Sequence, residues 1–243
     1  MAKQQKLLNI DANAKTVKGQ KKGYMTGILY LAPANLSGRE VCAWRTPECS
    51  AFCLNTAGRG QFNTTQKSRI KKTKALFKDR AAFHAQLGKE IQALEKRAAK
   101  AGFKPCVRLN GTSDLDFTPV INAFPHIQFY DYTKGSNRML QYLEGKLPKN
   151  YHLTFSLSET NMTNALLALE AGGNVAVVFP TKKGKDLPKK YMGYKVVDGD
   201  ESDLRFLDTK RRKGVKGVIV GLRAKGKARS EGGTDSTFVR EVA

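Results

Sequence analysis

Residues 126–180 read HIQFYDYTKGSNRMLQYLEGKLPKNYHLTFSLSETNMTNALLALEAGGNVAVVFP. Three short runs rich in β-branched and aromatic residues, at 126–132, 151–157 and 174–180, alternate with two segments whose apolar residues recur at helical spacing. Alternating strands and helices are typical of βα units, in which successive strands lie parallel. This stretch therefore predicts an α/β fold with a mostly parallel sheet.

The same pattern continues on both sides of this stretch. A long loop at 34–63 is followed by a predicted helix over 64–101, which is broken near Asp79. The linkers after residue 180 hold too little helix for a complete eight-unit barrel. Further strand-like runs lie at residues 24–33, 104–110, 193–197 and 216–222.

The chain has no recognisable domain linker and no repeat of fixed period. Residues 23–243 are therefore predicted to form a single α/β domain, preceded by a basic, mostly irregular arm at residues 1–22. We expect the domain to be a partial or irregular βα barrel with a mostly parallel sheet, or else an open doubly wound sheet.

The charge is strongly unbalanced. The 243 residues include 43 Lys and Arg against 21 Asp and Glu, which gives a net charge of +22. Such a surplus predicts a polyanionic partner, most simply DNA or RNA, because phosphate contacts release condensed counterions. Tyr130, Tyr132, Tyr191 and Trp44 are candidates for base stacking. The residues predicted to contact nucleic acid are Lys71, Lys72, Lys74, Lys182, Lys183, Arg211, Arg212, Arg223 and Lys225.

No apolar run reaches the length of a transmembrane helix, and the first residues lack the apolar stretch of a signal peptide. We therefore expect a cytoplasmic protein with no membrane partner and with reduced cysteines. The chain also lacks G-x-x-x-x-G-K-[ST], and no G-x-G-x-x-G follows a strand, so the sequence does not support nucleotide-binding loops of these two kinds.

The sharpest chemical feature is a cysteine cluster. The loop VCAWRTPECSAFC, residues 41–53, places Cys42, Cys49 and Cys53 in the pattern C-x6-C-x3-C. Three thiols on one loop can converge on zinc or on an iron–sulfur cluster. The alternative is that they are small buried hydrophobic residues. Cys106 lies within a strand and is predicted to be a core residue, or a fourth ligand only if the loop folds back over it.

Polar residues follow each predicted strand, at the edge where parallel βα folds carry their chemistry. Asp114 either caps the next segment or acts as a base, a nucleophile or the partner of a substrate amine. Asp131 and Lys134 are expected to line the same site. The acidic loop at 198–208 is expected to pair with Arg205 and Arg211, or to bind Mg²⁺.

An N-terminal strand, a three-cysteine loop, a helix and further βα units resemble the order of elements in radical S-adenosylmethionine enzymes, whose usual cysteine spacing is C-x3-C-x2-C. The resemblance implies that Cys42, Cys49 and Cys53 hold a [4Fe–4S] cluster that binds S-adenosylmethionine. It also implies two groups of cofactor contacts: Gly111, Thr112, Ser113 and Asp114 at the amino group, and Ser156 and Ser158 at the ribose.

The chain also resembles a group of tailed-phage proteins. That resemblance rests on the cysteine loop and on two strand ends, an R-x-N-x-x-x-D pattern and a Tyr-Thr-Lys turn. A phage protein would work in the cytoplasm of the host, where modification of DNA or RNA is a natural role. The residues concerned are Arg108, Asn110 and Asp114 in the first strand end and Tyr132, Thr133 and Lys134 in the second.

Two hypotheses follow for the function. In the first, the protein is an enzyme that holds nucleic acid with its basic rim and modifies a base, using a metal or an iron–sulfur cluster on the three cysteines and Asp114, Asp131 and Lys134 in the site. In the second, it is a non-catalytic nucleic-acid-binding accessory or host-takeover factor, and its cysteines bind structural zinc or lie in the core.

Overall fold

A computed structural model describes residues 5–10, 14–209, 214–230 and 236–241. The strands in these ranges are β1 Leu8–Ile10, β2 Tyr24–Leu29, β3 Lys104–Arg108, β4 Gln128–Thr133, β5 Tyr151–Ser156, β6 Val175–Phe179, β7 Lys190–Tyr191, β8 Tyr194–Asp198 and β9 Ile219–Arg223. The α-helices are α1 Ala14–Gln20, α2 Ala34–Ser37, α3 Pro47–Ala51, α4 Asn63–Lys78, α5 Arg80–Lys100, α6 Thr118–Asn122, α7 Ser136–Leu143, α8 Met162–Glu170 and α9 Lys227–Ser230.

The described strands form one sheet in the order β1-β2-β3-β4-β5-β6-β9-β8-β7. Strands β2 to β6, β9 and β8 are parallel to their neighbours, and only β1 and β7 at the two edges pair antiparallel. The predicted α/β fold with a mostly parallel sheet is thus confirmed. Strands β2 to β6 lie in chain order and the sheet is not closed, which is consistent with a partial βα barrel.

The two faces of the sheet are covered differently. On one face, Val107, Phe129 and Leu153 pack in the main core together with Leu87 and Ile91 of α5. The alternate residues of the strands point to the other face, as the pleat requires. There, Cys106 and Tyr130 pack with Leu204, and Tyr24 and Phe206 lie against them. The segment that follows β8 therefore fills the face that the long helices leave open.

Within the arm that was predicted to be mostly irregular, the described residues include one short strand and one helix. Strand β1 pairs with β2, and α1 follows it. The Lys72 ammonium on α4 donates to the Leu7 carbonyl at 2.7 Å and to Asn9 Oδ1 at 3.0 Å. The Glu90 carboxylate accepts from the backbone N–H groups of Leu7 and Leu8. The two leucines are buried, so apolar burial outweighs the local excess of lysine.

The long helical region is broken at Asp79, as predicted. Asp79 has an extended backbone and ends α4, and its side chain accepts a hydrogen bond of 2.9 Å from the Ala82 N–H at the start of α5. An aspartate at this position satisfies one of the free N–H groups of the first helical turn. None of the helices in the described ranges is both long and apolar enough to cross a membrane.

Candidate active site at the carboxyl edge of the sheet

The cysteine loop leaves the carboxyl end of β2 and lies beside the turn that follows β3. The Cys42 thiol points at the Thr112 carbonyl, with 3.8 Å between sulfur and oxygen. Cys49 lies on the short helix α3, and Cys53 lies two residues after that helix. All three thiol-bearing residues are half-buried. The loop thus brings them to the edge where we expected the chemistry.

The pKa values of Cys42 and Cys53 depend on the charges of the groups around them. Burial, together with negative charge on Cys53, Asp114 and Cys49, raises the pKa of Cys42 to about 12, while Lys134 opposes the shift. Burial also raises the pKa of Cys53, which Cys49 raises further and Lys134 and Arg69 lower. Cys42 and Cys53 are therefore neutral thiols at neutral pH, and both lie within electrostatic reach of the Lys134 ammonium.

No group of three Cys, His, Asp or Glu side chains in the described ranges is arranged as the ligands of a metal ion. The donors themselves suit a thiophilic metal, because zinc and iron–sulfur clusters both prefer thiolates. Binding would release the protons that burial holds on the sulfurs. Cys106 is separate from the other three: it is buried within β3, with its sulfur 3.2 Å from Thr26 Oγ1, and is a core residue as predicted.

Lys134 and Ser156 meet at the ends of two neighbouring strands. The Lys134 Nζ atom donates to Ser156 Oγ at 3.2 Å and lies 5.6 Å from the centre of the Phe238 ring. No ion pair within the described residues involves Lys134. Ser158 is buried, and its carbonyl accepts from the Arg240 guanidinium at 2.9 Å. Within the described residues, Lys134 is therefore a cation without a carboxylate partner. Its ammonium lies within electrostatic reach of the cysteine loop.

The predicted turn after β3 is held by internal hydrogen bonds. Thr112 Oγ1 donates to the Leu31 carbonyl at 2.6 Å, and Ser113 Oγ donates to Asn110 Oδ1 at 2.8 Å. A Cβ atom on Gly111 would lie 2.6 Å from the Tyr30 ring, so only glycine fits there. These contacts fix the turn against β2 and leave its hydroxyl donors occupied.

Asp114 joins two strand ends. Its Oδ2 atom accepts from Thr133 Oγ1 and from the Lys134 N–H, both at 2.9 Å, and its Oδ1 atom pairs with Arg138 at 3.0 Å. These bonds give the Asp114 carboxylate a structural role: it holds the backbone of Lys134, which is different from capping the segment that directly follows Asp114. The chemical roles considered for Asp114 stay predictions.

Asp131 lies within β4, whereas Lys134 directly follows that strand. It is buried and accepts from the Asn110 N–H at 2.7 Å and from the Tyr151 hydroxyl at 3.2 Å. Burial raises the pKa of its carboxyl to about 6, although Arg138, Arg108 and the hydrogen bonds from Asn110 lower it. Asp131 faces the same side of the sheet as Phe129, whereas the Lys134 ammonium, beyond the end of β4, reaches Ser156. Within the described residues, no contact therefore joins the two residues that were predicted to line one site.

Two carboxylates that the sequence did not single out hold the cysteine helix in place. Glu159, just after β5, accepts from Thr46 Oγ1 at 2.7 Å and from the Glu48 N–H at 2.8 Å at the start of α3. Glu48 in turn accepts from Ser236 Oγ at 2.6 Å and from the Phe238 N–H at 3.0 Å. The spacing of these residues in the sequence gives no sign of either contact.

The C-terminal segment, residues 236–241, crosses this edge of the sheet. Val239 bridges to Val178 near the end of β6, and the Phe238 ring lies 6.0 Å from the ring of Phe52 in the cysteine loop. Together with the contacts of Phe238 to Lys134 and of Arg240 to Ser158, these interactions cover part of the candidate site.

The predicted nucleic-acid contacts divide into three groups. Lys71, Lys74, Lys182 and Lys183 are exposed. Lys72 is only 3% exposed and donates to the N-terminal strand, so its ammonium is not available to a phosphate. Arg211 and Arg212 lie outside the described residues.

Arg223 and Lys225 form ion pairs with carboxylates of the acidic loop, residues 198–208. The Arg223 guanidinium donates to both carboxylate oxygens of Asp198 at 2.9 Å, and Lys225 pairs with Asp200 at 2.7 Å. Asp208 pairs with Arg205 at 3.2 Å, as expected. Most of this acidic loop thus neutralises nearby cations, and the expected partner Arg211 lies outside the described residues.

Among the aromatic residues proposed for stacking, only Trp44 has an open ring. Tyr130 is buried, Tyr132 lies under the Arg108 guanidinium at 4.7 Å, and Tyr191 packs edge-on against Phe179 at 5.3 Å. Trp44 is 47% exposed, at the tip of the cysteine loop.

A groove lies at the opposite, amino-terminal edge of the sheet. It has a volume of about 920 Å³ and is lined by Gln128, Tyr142 and His152, among others. Thr209 and Gly214 also line it, on either side of residues 210–213, which the structure does not describe. We assign it no function, because its lining brings together no set of metal-ligating or nucleophilic side chains.

Comparison with known proteins gives one match. The model of the family described as Gene product 88 matches residues 5–239, nearly the whole chain. This match is consistent with the resemblance to phage proteins. No curated protein and no solved structure matches the chain. The resemblance to radical S-adenosylmethionine enzymes stays a prediction.

Proposed function

The chain belongs to the gene product 88 family, and we propose that it is a phage enzyme that binds DNA or RNA and modifies a base at the carboxyl edge of its sheet. The observation that carries the proposal is that Cys42 lies within electrostatic reach of Cys49, Cys53 and Lys134 at this edge. A βα fold has its strand ends at this edge, where catalytic groups from several strands can meet.

The proposal gives each group a role that follows from its position. Cys42, Cys49 and Cys53 would hold zinc or a [4Fe–4S] cluster. Zinc supplies a Lewis acid and an activated water, whereas a cluster with S-adenosylmethionine supplies one-electron chemistry. Lys134, which donates to Ser156 and has no carboxylate partner in the part of the chain that the structure describes, binds an anionic group of the substrate. Asp114 positions Lys134 through the backbone N–H of that residue.

The surplus charge supports a nucleic-acid substrate. The net charge of +22 repels itself unless a polyanion compensates it. The exposed lysines Lys182 and Lys183 follow β6, at the same edge of the sheet as the cysteine loop. Phosphate contacts at this rim would hold a strand while a base enters the site.

Metal analysis of protein purified without oxygen tests the proposal. We expect stoichiometric iron with broad visible absorption, or stoichiometric zinc, and loss of the metal in Cys42→Ser, Cys49→Ser and Cys53→Ser. Cys106→Ser is the matched control and should retain the metal, since its thiol lies within the sheet. Equal metal content in all four variants and the parent, or no metal in any of them, would contradict a metal on the three cysteines.

A second candidate function is non-catalytic nucleic-acid binding. It is favoured by the contacts of both acids predicted for catalysis, since Asp114 forms an ion pair with Arg138 and Asp131 is buried within β4. In this case the cysteines hold structural zinc or pack as neutral thiols. Zinc that cannot be removed without unfolding the protein, or tight nucleic-acid binding by metal-free protein, supports this function.

A further inference from the structure

Trp44 is an exposed aromatic residue at the mouth of the candidate site. It is the only tryptophan in the chain and is 47% exposed. It lies in a tight turn that the Arg45 N–H closes on the Cys42 carbonyl at 3.0 Å. The turn places Trp44 two residues from the half-buried Cys42 in the same loop.

The indole of Trp44 lies against Gly135, just after the end of strand β4. A Cβ atom on Gly135 would lie 2.7 Å from Trp44 Nε1, so a larger residue at position 135 would displace the ring. Gly135 directly follows Lys134. The contact thus places the exposed ring against the residue that follows Lys134 in the chain.

The charges around the ring favour an anionic ligand. Glu40 pairs with Arg45 at 3.0 Å, Glu159 is held by Thr46 and the Glu48 N–H, and Asp114 pairs with Arg138. Each nearby carboxylate thus has its own partners. Lys134 donates to a neutral hydroxyl and has no carboxylate partner within the described residues.

We propose that Trp44 stacks on an unpaired base of single-stranded DNA or RNA while Lys134 binds the adjoining phosphate. This inference rests on the proposed function and specifies its substrate as a single strand. An aromatic face next to a cation is the combination that binds single strands, because every base offers a π face. Bases inside a duplex are stacked on their neighbours and do not offer that face.

The single tryptophan allows a direct test, since its fluorescence reports on Trp44 alone. The probes are an unlabelled single-stranded oligonucleotide for quenching, and single-stranded and duplex oligonucleotides of equal phosphate number, end-labelled for anisotropy. We expect the single strand to quench Trp44, and Trp44→Ala to weaken single-strand binding about 5- to 150-fold. Duplex binding and the salt dependence of binding should not change, because no charge is removed. Trp44→Phe should restore most of the affinity.

Leu167→Ala is the control, since Leu167 is exposed to 62% on α8, away from the loop. Single-strand binding without quenching, and with equal affinity in the parent and Trp44→Ala, would overturn the stacking of a base on Trp44 and leave nucleic-acid binding intact. Absence of binding to either probe at low salt would instead overturn the proposed function, and the inference with it.

Discussion

Lys71 and Lys72 show that a cluster of lysines in the sequence does not reveal which of its members are exposed. The two residues are adjacent on α4 and both were predicted to bind phosphate. Lys71 is exposed, whereas Lys72 turns inwards and donates to Leu7 and Asn9. Burial lowers the pKa of Lys72 to about 8. A lysine cluster alone cannot reveal this difference, because the contact joins residues 65 positions apart.

Substitution of these two lysines should have opposite effects. We expect Lys72→Met to lower the free energy of unfolding by about 1–3 kcal/mol, because the buried Leu7 carbonyl loses its donor. The salt dependence of duplex binding should be unaffected. Lys71→Met should leave stability unchanged and, if Lys71 contacts a phosphate, reduce the salt slope by about 0.9. Urea unfolding and a salt titration of binding measure the two effects, and a reduced slope in Lys72→Met would contradict the assignment.

Asp131 predicts a specific pH dependence of stability. Its pKa is about 6 in the folded protein against 3.8 in an unperturbed carboxyl, so the folded state holds the proton more tightly. The stability from this group is fully present below about pH 4 and is lost as the pH rises through 6. The loss is on the order of 3 kcal/mol.

Asp131→Asn cannot lose this proton and should lack that part of the pH dependence. We expect the unfolding free energy of the parent, relative to the variant, to fall between pH 4 and pH 7. Chemical unfolding at several pH values gives this difference directly and cancels the other titrating groups. A difference that stays constant, or that rises with pH, would show that Asp131 is ionised in the fold.

Among the elements of the fold, the strands of the central sheet could be predicted from the sequence, whereas the segments that cover the candidate site could not. Each of β2 to β6 lies within a run that its apolar and aromatic residues marked. Strand β1 has three residues, too few for periodicity to show. The C-terminal segment is fixed by Glu48, nearly 190 positions away in the chain. Contacts of that range leave no local signal.

Glu48 should control access to the cysteines. Replacing it with Gln removes charge from the hydrogen bonds to Ser236 and Phe238, which we expect to loosen the C-terminal segment. A loss of about 1.4 kcal/mol would raise the open population about tenfold. Alkylation of Cys42 and Cys53, followed by mass spectrometry, should speed up to the same extent.

The alkylation experiment has two controls. Cys106 lies within the sheet and should react slowly in every variant. Glu241→Gln removes the same charge from an exposed position in the same segment and should leave the rates unchanged. Equal alkylation rates in Glu48→Gln and the parent would show that the segment does not limit access to the thiols.

At the scale of the whole molecule, strand order explains why distant residues meet. Strands β2 to β5 are parallel and adjacent, so the residues that follow them share one edge. This is why the cysteine loop, Lys134 and Ser156 are close together although more than 100 positions separate Cys42 from Ser156. The edge was predictable from the alternation of strands and helices. The face on which Asp131 lies was not, because it depends on the register of β4.

The net charge leads to a prediction for the molecule as a whole. The logarithm of the binding constant for duplex DNA should fall linearly with the logarithm of salt concentration, with about 0.9 in slope for each phosphate contact. Lys182 and Lys183 are exposed at the carboxyl edge, so Lys182→Gln/Lys183→Gln should reduce the slope by about 1.8 and weaken all sequences alike. Lys100→Gln/Lys104→Gln removes the same charge at the opposite edge, where β3 begins, and should change the slope much less. Fluorescence anisotropy with labelled duplex across a range of salt concentrations measures both slopes. Equal reductions in the two variants would mean that the charge acts as a diffuse field, without a binding surface at the carboxyl edge.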